Sequence, residues 1–141
     1  MKIKPVILCG GAGTRLWAKS KKNLPKQFIN FGGWTLLQKT LLRIKNPSFD
    51  YPIISTNSSY LNLVRKYLKK YNVKRYKIIL EPFKKNTAPA ILSSTLLKEI
   101  SYQQPMIFFP SDHLIENTSK LIRSINLNKK HLNHNNIFIF G

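Results

Sequence analysis

Acidic side chains are what this sequence has least of: Asp+Glu total 5 against Lys+Arg 24, for a formal charge of +19 over 141 residues. So lopsided a balance invites a nucleic-acid or anionic-surface reading. Against that reading, the lysines are strewn along the whole chain among Asn and Ile, and no nucleic-acid recognition motif is present. A drift in the composition of a whole proteome leaves the same trace. The charge still favours encounter with phosphorylated small molecules. Cysteine is nearly absent too. Cys9 stands alone, which excludes an internal disulfide and fits a reducing compartment. At the end of an apolar run it reads as a core residue ahead of a reactive thiol. No segment reaches the ~20 apolar residues of a membrane-spanning helix. The apolar run behind Lys2 and Lys4 is too short for a signal peptide. A cytoplasmic location is the expectation. No internal repeat appears, and the length suits about one domain with a real core.

What the chain does have is concentrated in residues 5–28, PVILCGGAGTRLWAKSKKNLPKQF. Val6-Ile7-Leu8-Cys9 is apolar without alternation, the pattern of a strand buried on both faces of a parallel sheet. It stops at Gly10-Gly11-Ala12-Gly13-Thr14. Glycines there let the backbone turn sharply and bring its N–H groups against a ligand, and such amide clusters attract phosphate oxygens. Arg15 adds a permanent cation, and Lys26 follows Pro25. Two familiar glycine loops are excluded. A Walker A loop ends in Gly-Lys-Ser/Thr, whereas Gly13 is followed by Thr14-Arg15; a dinucleotide fingerprint starting at Gly11 needs glycine at position 16, which is Leu16. Glycines after a strand are also ordinary in βα turns, so spacing alone leaves both a plain turn and a triphosphate cradle open.

Further along, residues 35–44 (TLLQKTLLRI) predict a helix with Leu36, Leu37, Thr40, Leu41 and Ile44 on one face. Gly32-Gly33 marks the turn before it. Residues 52–55 predict a strand and 58–70 a helix, with Tyr60, Leu61, Val64, Leu68 and Tyr71 inward and Arg65, Lys66, Lys69 and Lys70 in water. A third strand covers 76–80. Asn86-Thr87-Ala88-Pro89 reads as a helix start, because Asn86 or Thr87 can cap free amides and Pro89 is tolerated in a first turn. That helix is expected to turn Ile91, Leu92, Thr95, Leu96 and Ile100 towards the sheet. A fourth strand at 106–109, a helix at 118–131 and a fifth strand at 137–140 complete the series. Alternating strand and helix implies an α/β fold, a doubly wound and mostly parallel sheet with helices on both faces. Ligands in such sheets sit beyond the carboxyl ends of the strands. The marked segments at Gly10, Glu81 and Pro110 each follow directly on a strand, so they converge on one edge.

The five carboxylates are Asp50, Glu81, Glu99, Asp112 and Glu116, and two of them, Glu81 and Asp112, close strands at that edge. An Asp after a strand can form an Asx-turn or a helix cap; it can equally offer a hard oxygen to Mg²⁺.

GGAGTRL followed by PKQF resembles the signature of the sugar-nucleotide pyrophosphorylases, a nucleotidyltransferase family. The Lys-Gln-Phe ending most resembles the mannose-1-phosphate guanylyltransferase branch. Two later segments resemble the same family: PSDH at 110–113 and EPFKKNTAPA at 81–90. The resemblance implies a Rossmann-like fold in which Asp112 holds Mg²⁺, with His113 orienting it or simply packing. It implies a nucleotide pocket drawn from Cys9, Gly10, Gly11, Ala12, Gly13, Thr14, Glu81, Lys85, Asn86, Thr87 and Ser111, with Arg15 and Lys26 acting on the phosphates. The reaction implied is transfer of GMP from GTP to mannose-1-phosphate, releasing GDP-mannose and pyrophosphate. The sequence departs from the family pattern at Lys84 and Lys85, where a glycine and an arginine are usual, so a bidentate contact is lost at Lys85. It departs again at Ala18, where a proline is usual. The likeness runs the whole length of the chain but matches only the front of the family's catalytic domain. Residues 1–141 thus read as a truncated nucleotidyltransferase domain, its nucleotide-binding part, with the sugar-binding half absent. A completing polypeptide or a homo-oligomer is the implied partner. A nucleotide-binding remnant without turnover, and a basic nucleic-acid binder, are the competing readings.

Overall fold

The computed structural model describes residues 2–11, 24–81, 87–133 and 136–140. Among these residues four strands, β1 (Lys4–Leu8), β2 (Ile53–Asn57), β3 (Lys77–Glu81) and β4 (Met106–Pro110), alternate with four α-helices, α1 (Leu36–Arg43), α2 (Leu61–Lys70), α3 (Thr87–Thr95) and α4 (Thr118–Asn128). The sheet runs β3-β2-β1-β4, and every neighbouring pair is parallel. Val6 pairs with Ile53 on one side and with Phe108 on the other, so β1 is central and needs the unbroken apolar run it has. The strand order reverses at β1, and the chain segments after β1 and β4 therefore leave the sheet side by side.

Alternation along the strands divides the core in two. Ile7, Cys9, Ile54 and Phe109 join Leu37 and Leu41 of α1, Val64 and Leu68 of α2, and Ile122 and Ile125 of α4 in one cluster. Val6 and Ile53, one residue earlier, are buried outside that cluster. Helix α3 touches β1, β2 and β3 and lies on that second face. Helices thus cover both faces, as the alternation of elements implies.

The local chemistry follows the sequence closely in α1 and α2. Thr35 accepts from the Gln38 amide at 3.1 Å while the Gln38 side chain accepts from Thr35 N–H, a reciprocal cap that fixes the start of α1. Leu36, Leu37, Thr40, Leu41 and Ile44 are all buried. Tyr60, Val64 and Leu68 are buried beneath α2, Leu61 and Tyr71 are half-buried, and Arg65, Lys66, Lys69 and Lys70 are exposed.

Three expectations give way. Helix α3 faces the sheet with Ala90 and Ser94, one turn apart, while Leu92 and Leu96 are 59% and 72% exposed. Small side chains let the helix approach closely, and Ser94 donates to the Ala90 carbonyl at 2.7 Å; Leu92 and Leu96 point away, while Ile91 and Ile100 are half-buried. Residues 137–140 form no strand. A parallel strand needs a hydrogen-bonded neighbour, none is found among the described residues, and Ile137 and Ile139 are almost fully exposed. The last helix ends at Asn128 and tightens into a 3-10 turn over Lys129–His131.

A charged side chain also lies where the sequence suggested none. Lys4, 1% exposed, opens β1 at the sheet edge opposite the glycines. Its ammonium lies 2.5 Å from Asp50 Oδ2 and 3.3 Å above the Tyr51 ring. Burial alone would raise the Asp50 carboxyl, but hydrogen bonds from Lys4, Tyr51 N–H and Gln104 hold it below the ordinary carboxylate range.

Candidate functional site

The carboxyl ends of all four strands meet at one edge, and the glycine turn sits at its centre. Cys9 and Gly10 leave β1 there, and Gln27 secures them. Its side-chain amide donates to the Cys9 carbonyl at 3.2 Å and to the Gly11 carbonyl at 3.3 Å. Thr56 at the end of β2 donates to the same Cys9 carbonyl at 3.2 Å. Gln27 belongs to the 3-10 turn Lys26–Phe28, so one amide ties the turn after β1 to the turn carrying Lys26. The Cys9 side chain faces the core, with no exposed surface. Burial, only partly offset by Ser111 and Gln27 and reinforced by the charges of Asp112 and Glu81, pushes its thiol up to about 12. Its sulfur is a packing group under the turn, and its carbonyl, held by Gln27 and Thr56, positions that turn.

Gly10 meets Glu81 of β3. A Cβ at Gly10 would lie 2.7 Å from Glu81 Oε2 and 2.9 Å from Oε1, too close for any real side chain. The Ser55 hydroxyl holds the carboxylate there, donating to Oε1 at 2.6 Å, while the Asn57 side chain holds the backbone, donating to the Glu81 carbonyl at 3.2 Å. Gly10→Ala is therefore expected to cost about 1–3 kcal/mol in urea unfolding. Glu81→Ala in the same background should return part of that loss, since it removes the atoms in conflict; strict additivity of the two would show that the crowding lies elsewhere. Gly11 is different. It is exposed, and a Cβ there would meet nothing within 4 Å among the described residues.

On the other flank β4 ends in Pro110-Ser111-Asp112. The Ser111 N–H donates to the Leu8 carbonyl at 3.1 Å and continues the β1–β4 ladder, which leaves Ser111 buried beneath the rim. Asp112 emerges half-exposed. Its Oδ2 lies 3.8 Å from Lys26 Nζ and its Oδ1 lies 3.9 Å from His113 Nε2. A lone half-exposed carboxylate flanked by a lysine fits Mg²⁺, which takes one or two carboxylates with substrate phosphates and water. Among the described residues no group of three or more His, Cys, Asp and Glu side chains gathers into a protein-only metal cage. Thr87 opens α3 as an exposed first-turn residue, with Pro89 in the same turn. Ala12, Gly13, Thr14, Arg15, Ala18, Lys84, Lys85 and Asn86 lie outside the described residues.

Of the predicted site residues that are described, Gly10, Gly11, Lys26, Glu81 and Asp112 come together at this edge, and Cys9 and Ser111 support it from below. Sequence reasoning overlooked the supports: Gln27, Ser55, Thr56 and Asn57. Their signal was present, since Ser55-Thr56-Asn57 is a polar run closing an apolar buried strand. Buried polar groups need partners, and these find them in the backbone and carboxylate of the neighbouring turns.

Comparison with known proteins bears on the same residues. The nucleotidyl transferase family model matches residues 4–140. The alginate biosynthesis protein AlgA of Pseudomonas fluorescens is 36% identical over 139 residues, which cover 97% of this chain and 29% of that protein. The mannose-1-phosphate guanylyltransferase of Escherichia coli is 34% identical over 139 residues, again 97% of this chain and 30% of that protein. The crystal structure described as a mannose-1-phosphate geranyltransferase from Thermus thermophilus superposes with a TM-score of 0.75 at 26% identity, covering 93% of this chain and 38% of that one. The chain thus spans about 30% of the length of the curated relatives it matches.

Proposed function

We propose, since this chain belongs to the nucleotidyl transferase family, that its strand-end edge grips GTP with Mg²⁺ and serves transfer of GMP to mannose-1-phosphate, with release of pyrophosphate. The observation that carries the reading is the meeting of Lys26 and Asp112, 3.8 Å apart and 86 positions apart in sequence (112 − 26), beside the Gly10–Gly11 turn. A cation and a hard anion next to open backbone amides suit a metal-bound polyphosphate. The preference for GTP and mannose-1-phosphate rests on what relatives such as the E. coli protein are named for.

Transfer at a phosphorus atom needs charge neutralisation and in-line positioning more than covalent help from the protein. Gly10, Gly11 and Gly13 supply amides to the phosphates, and Arg15 takes the departing pyrophosphate. Lys26 steadies oxygens near the reacting phosphorus. Asp112 would hold Mg²⁺, which when bound offsets the charge of the triphosphate. Glu81, held by Ser55 against Gly10, keeps the turn open on its ligand side. Residues 1–141 then constitute the nucleotide-binding part, and the groups that hold the sugar phosphate belong to a polypeptide region outside them. A cytoplasmic location accords with the substrates proposed; among the described residues no helix is long and apolar enough to cross a membrane.

Calorimetry with GTP, with and without Mg²⁺, tests the first half of the proposal, and pyrophosphate release on adding mannose-1-phosphate tests the second. The 141-residue chain is expected to bind GTP in a Mg²⁺-dependent manner and to release no pyrophosphate. Binding indifferent to Mg²⁺ and abolished by moderate salt would instead favour diffuse attraction to a +19 chain.

A further inference from the structure

Arg43, at the end of α1, is 3% exposed, yet among the described residues its Nε and Nη2 have no hydrogen-bond partner. Its Nη1 reaches only Thr40 Oγ1, at 3.5 Å, and its guanidinium lies 5.7 Å from the centre of the Phe109 ring. No carboxylate pairs with it among the described residues. Burial pushes this guanidinium below the ordinary arginine value. A desolvated cation without a counter-charge is costly, and the two idle atoms are the adjacent pair that form a bidentate fork to an oxyanion.

Arg43 borders an open cleft of about 630 Å³ between α1 and α4, lined also by Arg123, Asn46, Asn126 and the first-turn residues Thr118 and Ser119 of α4; its two idle nitrogens lie buried behind that wall. The Asn117 side chain accepts from the Lys120 amide at 2.8 Å, which leaves the earlier amides of that turn for a ligand. Leu42, Ile122 and Leu127 supply an apolar wall. Glu116 lines the smaller adjoining cavity with Arg43 and forms no ion pair among the described residues. We propose that this cleft, whose lining includes none of the residues gathered at the glycine turn, is a second anion site that takes a phosphate monoester: the oxyanion between Arg43, Arg123 and the α4 N-terminus, the organic part along the apolar wall. Two guanidinium groups with hydroxyls and a helix terminus suit a dianion better than a single carboxylate, and the cleft is far larger than one free phosphate.

The test is a ¹H–¹⁵N NMR titration of the 141-residue chain at constant ionic strength, first with inorganic phosphate, then with glycerol 3-phosphate. Saturable shifts are expected at the Arg43 Nε–H and the Thr118 and Ser119 amides, with the monoester binding at least as tightly as the free ion. Arg123→Ala, an exposed change that leaves the core intact, should weaken binding about tenfold or more. Arg43→Met, which fills the same space without the charge, should abolish it. Three results would each overturn the proposal: shifts that never saturate, shifts that persist in Arg43→Met and Arg123→Ala, or shifts confined to Gly10 and Gly11. Weaker binding of the monoester than of phosphate would do the same.

Discussion

Asp112→Ala is expected to remove the Mg²⁺-dependent part of GTP binding to this chain. Placed at the corresponding position of a complete, active relative, it should cut turnover by about 10²–10³. The argument starts from scarcity. Two of the five carboxylates, Glu81 and Asp112, stand half-exposed at the strand-end edge, and among the described residues it is Asp112 that meets a lysine there. Lys26 Nζ lies 3.8 Å from Asp112 Oδ2, so metal and lysine compete for that oxygen. Lys26→Met therefore carries opposite signs for two ligands. Mg²⁺ alone should bind the variant more tightly, because the competing ammonium is gone, while GTP without Mg²⁺ should bind it more weakly, because a phosphate partner is lost. Calorimetric titrations of each ligand separately read both signs. If both affinities moved together, the lysine would be acting only through bulk charge.

The second large effect lies at the opposite edge of the sheet. Asp50→Asn is expected to destabilise the chain by about 3–5 kcal/mol, because it leaves the buried Lys4 ammonium with a ring face and an amide for company. Lys4→Met should cost less, about 1–2 kcal/mol, since Asp50 is 30% exposed and keeps the Tyr51 N–H and Gln104. The pair also sets a pH dependence. The Asp50 carboxyl is held below its usual value in the folded chain. Its stabilisation is thus fully present above the unfolded value of about 3.9 and is lost as pH falls through the folded one. Urea unfolding of wild type and Asp50→Asn from neutral pH downward should show their gap narrowing below about pH 4. A constant gap would mean that the carboxylate charge is not what Lys4 needs.

Much of this architecture could be read from residue order. The apolar run before the glycines needs two parallel neighbours, and β1 has them. The 3.6-residue spacing of α1 and α2 named their buried faces because both helices cover the sheet with large side chains. The same reasoning failed for α3, whose sheet side is small: bulk marks a core face only where the helix stands off by a full side-chain length. Lys4 and Arg43 were invisible for a related reason. A charged residue beside an apolar run looks solvated until its partner is known, and the partners, Asp50 and Phe109, are distant in sequence. At the site, motif residues were legible, and the polar run Ser55-Thr56-Asn57 marked supports without saying what they hold. A glycine pair announces a turn; that Glu81 crowds the Cβ side of Gly10 needs the β3 register, which no local pattern records.

The side-chain amide of Gln27 has a consequence for how a ligand would be engaged. By holding the carbonyls of Cys9 and Gly11 at once, it yokes the two backbone turns into a single rigid jaw. Whatever settles on the first turn meets the neighbouring ammonium at a preset range, with no separate search to pay for. Cutting that yoke would leave every charge in place and loosen only their spacing.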